Sequence, residues 1–281
     1  MSPSSSICPL YRLDDKSWPV PIGSGVLLAV GPAHFLLTCA HVLDHLDDPT
    51  TGRTSLLSVL NGDLQPFAGT GSVSRMPATG GRERDRVDVT FLRLDDATAA
   101  GFRAQFAFWP VEAVALGVEA SHDTHYTFMG YPLRDAEPRG KGMLRPQIQK
   151  ITARSYAEAD YHRVGVMPYS HVGIVMDGAP MRDETGNVHQ DRPLAPILNG
   201  LSGGGVFKGV RRRELGQDVP VELVGLCMEL PPEHPQSFLA VRITAALEGI
   251  RRRFPELSPF IPETPDVRVV QREPVALSST L

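Results

Sequence analysis

The sequence predicts an all-β fold that ends in one α-helix, and three observations support this prediction. Glycine and proline are frequent, with 26 and 25 of the 281 residues. The apolar runs between them are short, which is typical of many strands joined by tight turns. From Ile243 onward the apolar spacing lengthens from two residues to nearly four, as in an amphipathic helix. One face of this predicted helix holds Ile243, Leu247, Ile250 and Phe254, and Pro255 follows it.

The first half opens with a predicted hairpin. Residues 25–30 form its first strand, Gly31 and Pro32 supply the turn, and residues 35–38 return. The second strand therefore delivers Cys39, Ala40 and His41 to its end. Further strands of this half are predicted at residues 55–60, 71–75 and 87–94.

Small and polar residues between 115 and 125 mark a predicted boundary, after which the strand pattern resumes at residue 127. The strands predicted beyond it are 146–154, 164–167, 172–176, 206–210, 221–228 and 237–241. A polar surface loop is expected at 177–193, close to Ser202. The predicted organisation is an N-terminal extension (1–20), a first half (21–115), a second half (116–242), the helix (243–256) and a weakly ordered tail (257–281).

Charge and hydropathy exclude several classes of partner. The formal net charge is −4 and charged residues make up 21% of the chain, so no polybasic surface for nucleic acid is predicted. Residues 1–20 lack the continuous apolar run of a signal peptide, and no later segment is long enough to cross a bilayer. We therefore expect a soluble cytoplasmic protein with neither a nucleic-acid nor a membrane partner.

The cysteines fit a reducing compartment. Cys8, Cys39 and Cys227 are odd in number and have no motif spacing. Cys39 and Cys227 lie in apolar, strand-like contexts, where a thiol ordinarily serves as a small core residue.

The run GLSGGGVF at residues 200–207 holds the strongest candidate for chemistry. A serine hydroxyl becomes a nucleophile only when a base takes its proton and N–H groups stabilise the oxyanion. Glycines beside Ser202 can adopt positive φ and admit a substrate carbonyl close to the backbone. By itself the run fits an ordinary glycine-rich turn equally well.

Two other residues supply what Ser202 would need. His41 follows an apolar strand and Asp88 precedes one. Each alone is common in a structural role, but histidine, aspartate and serine together offer a base, an orienting carboxylate and a nucleophile. Asp85 is a second candidate for the carboxylate, although it lies in a charged loop.

These motifs resemble those of the trypsin-like (chymotrypsin-fold) serine peptidases, in particular the bacterial type without disulfides. The family's histidine follows small residues, as in TCAH at 38–41. Its aspartate precedes alternating apolar residues, as in DVTFL at 88–92, and its serine lies in Gly-x-Ser-Gly-Gly, as at 200–204. Two weaker features agree: GSG at 23–25 opens the strand before the histidine, and GYP at 130–132 resembles the start of the family's second barrel.

The resemblance implies two packed antiparallel six-stranded β-barrels with His41 and Asp88 on the first and Ser202 on the second. It implies a serine endopeptidase that cleaves protein or peptide substrates through an acyl-enzyme on Ser202. The oxyanion hole would be the backbone N–H groups of Gly200 and Ser202, and no cofactor or metal is expected.

Departures from the family pattern bear on control and specificity. Leu201 stands where secreted digestive members carry an aspartate that pairs with a newly cut N-terminus, so we expect another trigger or none, and a regulatory protein partner is one candidate. No acidic residue lies six positions before Ser202, near Pro196. Met228 and Glu229 are the expected substrate-binding residues. Glu229 is either a pocket carboxylate that favours basic side chains or a surface charge at a strand end.

Two alternatives remain open at this point. A peptide-binding module could share the fold without catalysis. An esterase-type acyl hydrolase could use the same residues, although the order histidine, aspartate, serine differs from that of the α/β-hydrolases.

Overall fold

The computed structural model describes residues 1–48, 52–53, 55–74, 85–117, 124–133, 146–176, 181–182, 188–189, 200–229, 236–264 and 273–277. The protein is mostly β, as predicted. The strands in the described part of the chain are β1 (Ile7–Leu13), β2 (Pro19–Val30), β3 (Ala33–Thr38), β4 (Asp47–Asp48), β5 (Gly52–Arg53), β6 (Leu57–Leu60), β7 (Asp63–Pro66), β8 (Gly69–Val73), β9 (Thr90–Leu94), β10 (Trp109–Pro110), β11 (His125–Gly130), β12 (Gln149–Ser155), β13 (His171–Val175), β14 (Met181–Arg182), β15 (Val188–His189), β16 (Gly205–Lys208), β17 (Glu222–Glu229), β18 (Ser237–Arg242) and β19 (Glu273–Leu277).

Short helices connect these strands, and one longer helix follows the last strand of the second half. They are α1 (Ala40–Asp44), α2 (Asp96–Arg103), α3 (Glu158–Arg163), α4 (Val210–Glu214) and α5 (Ile243–Arg253). Single 3₁₀ turns span Pro3–Ser6, Val111–Ala113 and Pro255–Phe260. No helix in the described residues is long and apolar enough to cross a membrane.

The second half forms a closed six-stranded barrel. Its strands follow the order β11-β16-β17-β18-β13-β12, and β12 then pairs with β11 to close the ring. Phe128 shows the closure, since it lies opposite Ile151 on one side and Val206 on the other. The hairpin β14-β15 extends from β12 outside the ring.

The first half is a strongly curled sheet and not a second closed barrel, which corrects the prediction of two six-stranded barrels. Its order is β19-β8-β9-β3-β2-β1-β6-β7, with β10 paired to β2. Within the described residues its end strands β7 and β19 do not pair with each other. β7 is alternately exposed and ends at Pro66, which has no N–H to donate to a further strand.

Strands from the predicted extension (1–20) and from the predicted tail (257–281) take part in this sheet. β1 pairs with β2 and β6, and its residues Ile7, Cys8, Leu10 and Tyr11 are fully buried. Residues 7–13 are thus part of the first sheet. At the other end, β19 pairs along the whole of β8, with Val275 opposite Gly71.

Helix α5 confirms the predicted C-terminal helix and joins the two halves. It packs on β8 and β9 of the first sheet and on β17 and β18 of the barrel. Its buried Ile250 and Leu247 belong to an apolar core that includes residues of both halves. After the helix, the ring of Phe254 meets those of Phe35 and Phe91 edge-on, with centroids 5.7 and 6.4 Å apart.

One predicted strand is wrong. Residues 164–167 form a turn after α3, because Gly165 adopts a φ of +67° that extended strands do not use. The three cysteines are buried and form no disulfide, as expected from their number and contexts.

Candidate active site

His41 and Asp88 are brought together by neighbouring strands. β3 pairs with β9 so that Thr38 lies opposite Thr90, which places the residues after β3 beside those before β9. His41 lies in the first turn of α1. Its ring Nδ1 is 2.5 Å from Oδ2 of Asp88, and its backbone N–H donates to Oδ1 at 2.9 Å. With Nδ1 engaged by the carboxylate, Nε2 is the ring atom that can take or give a proton.

The surroundings of Asp88 disfavour both its ionised carboxylate and its backbone conformation. Its side chain is buried, and its φ of +31° lies in the left-handed region that non-glycine residues seldom occupy. Burial raises the pKa of the carboxyl group, and the contact with His41 opposes that rise. Backbone strain and a buried carboxylate at one residue are typical of a functional site.

Asp85, the second candidate for the carboxylate, has different partners. Its Oδ2 accepts a hydrogen bond from the hydroxyl of Ser74, and its Oδ1 accepts from the N–H of Val87 at 3.0 Å. Asp85 therefore orders the loop that leads to Asp88, while Asp88 is the carboxylate that meets His41.

The Ser202 turn is shaped by glycines with positive φ. Gly200 has a φ of +92° and Gly203 of +81°. The N–H of Gly204 donates to the carbonyl of Leu201, and that of Gly203 to the carbonyl of Cys227, both at 2.8 Å. The hydroxyl of Ser202 donates to the carbonyl of Met228 at 3.3 Å. Within the described residues, no backbone carbonyl accepts from the N–H of Gly200 or Ser202.

The histidine and serine segments meet at two points. The thiol of Cys39 donates to the carbonyl of Cys227 at 2.7 Å, and Gly203 donates to the same carbonyl. A Cβ placed on Gly23 would lie 2.9 Å from the methyl groups of Val42 and 3.1 Å from the carbonyl of Ser202. Val42 of α1 and the carbonyl of Ser202 therefore meet on the same face of Gly23, where a side chain would otherwise project.

Comparisons with known proteins agree at the level of fold. No protein-family model matches the sequence, and no curated protein resembles it in sequence. The solved structure of the protease Anisep from Arthrobacter nicotinovorans matches with a TM-score of 0.52 at 10% identity, over 90% of this chain and 96% of that one. The active form of the Rv3671c protease from M. tuberculosis matches less well, at 0.41 and 14% identity, over 94% and 84% of the two chains.

The chain has the trypsin-like protease fold. At such identities this likeness concerns the fold and not the activity. Leu201 occupies the position at which the resemblance would place an aspartate. Its side chain is buried in an apolar cluster of the barrel that includes Phe128 and Val206. It offers no charge to an N-terminal amine.

The predicted substrate-binding residues lie beside the Ser202 turn. The strand pairing shifts between Cys227 and Glu229, so Met228 forms a β-bulge, a feature common next to active sites. The backbone of Glu229 pairs with Leu239, while its side chain lies outside the described part of the structure. Most of the predicted 177–193 loop and Pro196 also lie outside it, apart from β14 and β15.

Sequence reasoning missed the residues that join the two halves, above all Ser24 and Thr38. Ser24 bonds to the Ser202 turn, and Thr38 donates to the carbonyl of Ser24 at 2.7 Å. The signal was present in the GSG run at 23–25, since glycines on both sides of a buried serine allow two backbones to approach it.

Cys39, His41 and Asp88 also place potential metal-ligand atoms within 4.8 Å of one another. In this arrangement the thiol is engaged with Cys227 and Nδ1 with Asp88. A metal ion would have to replace both hydrogen bonds, so the donor set fits the histidine and aspartate pair better than a metal centre.

Proposed function

We propose that the protein is a serine endopeptidase with Ser202 as nucleophile, His41 as base and Asp88 as the orienting carboxylate. The observation that supports this most is the two-point contact between His41 and Asp88, at 2.5 and 2.9 Å, beside a glycine turn that carries Ser202. Two hydrogen bonds to one carboxylate fix both the position and the tautomer of the ring.

Acylation would begin as Nε2 of His41 takes the proton of the Ser202 hydroxyl while Oγ attacks the scissile carbonyl carbon. The imidazole then becomes a cation beside the Asp88 carboxylate. Because that carboxylate is buried, it stabilises the cation more strongly than it would in water. The cation next gives its proton to the leaving amine, and the peptide C–N bond breaks.

The negative oxygen formed during attack would be stabilised by the N–H groups of Gly200 and Ser202. Deacylation repeats the sequence with water: His41 takes a proton from water, hydroxide attacks the ester, and Ser202 recovers its proton from the imidazolium. No cofactor or metal is required by these steps.

The proposed substrates are proteins or peptides, in the cytoplasm. Met228 and Glu229 follow the carbonyl of Cys227 along β17 and would line the bound peptide. With Leu201 in place of an acidic residue, control by a cut N-terminus is not expected. A protein partner acting on the 177–193 loop is the proposed alternative route of control.

A non-catalytic peptide-binding role is the second candidate, and one contact favours it. The single hydroxyl proton of Ser202 is directed to the carbonyl of Met228, whereas attack requires its transfer to Nε2 of His41. If this contact persists with peptide bound, the cleft would bind peptides without cleaving them. An esterase-type hydrolase has no contact that favours it.

A fluorophosphonate probe tests the proposal directly, because it phosphonylates only an activated serine. We expect the wild type to label, and Ser202→Ala and His41→Ala to lose labelling by at least about 10³-fold. His162→Ala, which changes an exposed histidine on α3, is the matched control and should label like the wild type.

Folded wild-type protein that stays unlabelled while binding peptides would support the binding role instead. Labelling that persists in Ser202→Ala would place the nucleophile elsewhere. A peptide library incubated with the labelling form would then separate endopeptidase from esterase activity.

A further inference from the structure

Ser24 is a buried residue of the first sheet whose N–H and hydroxyl groups form hydrogen bonds with backbone atoms of the second half. It lies in β2 and is fully buried. Its N–H donates to the carbonyl of Ser202 at 2.9 Å, and its hydroxyl donates to the carbonyl of Gly200 at 2.8 Å. The same hydroxyl oxygen accepts from the N–H of Tyr131, which follows β11 of the barrel, at 2.8 Å.

Both backbone groups of Ser24 point away from β1. In the β1–β2 ladder the residue opposite Ser24 is Pro9. The N–H of Ser24 donates to Ser202, and its carbonyl accepts from the hydroxyl of Thr38 at 2.7 Å, so Ser24 and Pro9 form a non-hydrogen-bonded pair of the ladder. The backbone of Ser24 is therefore bonded to the Ser202 turn and to the end of β3.

These bonds fix the orientation of consecutive peptide planes. Ser24 holds the carbonyls of Gly200 and Ser202, and the N–H of Gly204 holds that of Leu201 between them. In a trans peptide the N–H points opposite to the C=O. Fixing the carbonyl of Leu201 thus fixes the N–H of Ser202, one of the two proposed oxyanion donors, and Ser24 holds the planes on either side.

The turn packs so closely on β2 that no side chain fits at position 203. A Cβ on Gly203 would lie 2.1 Å from the carbonyl oxygen of Ser24 and 2.1 Å from Oγ1 of Thr38. The turn therefore rests directly on the backbone of β2. No charged group takes part in this contact.

We propose that Ser24 is a positioning residue that holds the nucleophile turn in its oxyanion-binding conformation, in the role that an ion pair at position 201 would otherwise fill. The inference rests on the proposed function. Leu201 is buried among apolar side chains and has no charge with which to order the turn. Ser24 orders it instead from the other half of the molecule, through neutral hydrogen bonds that are present without N-terminal cleavage.

The test compares Ser24→Ala with Ser58→Ala. Ser58 is an equally buried serine of the same sheet whose hydroxyl donates to the carbonyl of Pro9 at 2.8 Å, away from the turn. Both variants lose one buried hydroxyl and its bond to a carbonyl, and Ser24→Ala also loses the acceptor for the N–H of Tyr131. The general loss of stability of each variant is therefore measured separately, by thermal unfolding. Labelling by the fluorophosphonate is followed over a range of probe concentrations, which gives the maximal labelling rate and the half-saturating concentration separately.

For Ser24→Ala we expect the maximal labelling rate to fall by about 10²-fold, the scale of a lost oxyanion donor. The half-saturating concentration should stay within about twofold of the wild type, because the cleft itself is unchanged. Ser58→Ala should keep both values. An equal rate in Ser24→Ala and wild type would overturn the inference and leave the proposed function standing.

Amide hydrogen exchange covers the case in which the wild type does not label and the proposed function fails. Peptides that span residues 200–205 should exchange about tenfold faster or more in Ser24→Ala than in Ser58→Ala, since opening of the turn no longer breaks the hydroxyl bond. Equal exchange in both variants would overturn the role of Ser24 in either case.

Discussion

The two halves of the molecule differ in whether their sheet closes on itself. The second half closes through the pairing of β11 with β12, so all six strands of its ring have two neighbours. The first half stays open, yet it carries His41 and Asp88. A closed ring satisfies its own backbone, whereas an open sheet depends on its neighbours for shape. The position of the proposed base and its carboxylate therefore depends on contacts from outside their own sheet.

Two such contacts are visible: helix α5 packs on β8 and β9, and the closed barrel reaches the loop before Asp88 through His171. Within the sheet, β19 covers the edge of β8. The ring Nε2 of His171 lies 2.8 Å from the carbonyl of Arg86, two residues before Asp88. The next predictions remove support from the open half in order of decreasing effect.

The largest effect is expected for Asp88→Asn. An amide can keep the shape of the side chain but favours the wrong tautomer of His41, so labelling and turnover should fall by about 10³ to 10⁴-fold. Asp85→Asn is the matched control. It weakens the bond to Ser74 but leaves His41 untouched, so we expect a loss of thermal stability with activity within about tenfold. Equal activity losses in the two variants would argue against the separate roles.

A medium effect is expected from the titration of His171. Burial lowers its pKa from 6.5 to about 4, and the nearby cations Arg86 and Arg242 contribute. Between these two values the unfolded chain binds the proton and the folded protein does not. Stability should therefore be complete above about pH 6.5 and fall as the pH drops toward 4, by on the order of 3 kcal/mol for this group.

Urea unfolding at several pH values between 4 and 7 measures this dependence. His171→Gln is the matched variant, because its amide can still donate to Arg86 but does not titrate. We expect a flatter pH profile for His171→Gln than for the wild type. Parallel profiles would show that His171 is not the group that couples acid to unfolding.

The smallest effect is expected from removal of residues 265–281. The truncated chain keeps Thr264 and Pro262, which hold Arg251 of α5 through Oγ1 and a carbonyl. It loses β19, but β8 still pairs with β9 on its other side. The entropy of ordering five residues offsets most of the gain from their hydrogen bonds, so we expect the free energy of unfolding to change by only about 1 kcal/mol.

Exposure of the β8 edge should instead raise self-association, measured by size-exclusion chromatography. Val275→Pro places a residue without an N–H in the middle of β19 of an intact tail and serves as the control for pairing alone. Labelling should be unchanged in both. A marked rise in labelling after truncation would instead make the tail a restraint on the active site.

Much of this architecture follows from local sequence. The hairpin of β2 and β3 and the helix α5 were predicted because periodicity and turn residues are local signals. The strand β1 was missed because its run contains Pro9 and Arg12, and only pairing on both sides makes it a strand. β19 was missed for the same reason, since its order comes from β8. Closure of one half and not the other depends on strands far apart in the chain, which no local pattern records.

The residues of the candidate site also fall into a group that local sequence predicts and a group that it does not. The sequence motifs predicted the contact between His41 and Asp88, because three motifs in the order histidine, aspartate, serine are much more specific than any one of them. The residues that support Ser202 were not predicted. Ser24 and Thr38 contribute through hydrogen bonds to backbone atoms, and the partners of such bonds are set only by tertiary structure.

Gly23 allows the two proposed reactive segments to come together because it has no side chain. The methyl groups of Val42, next to His41, and the carbonyl of Ser202 lie 2.9 and 3.1 Å from the place that its Cβ would occupy. Any other residue at this position would push α1, the Ser202 turn or both away from β2. The absence of one atom thus permits the approach of the segments that carry the proposed base and nucleophile.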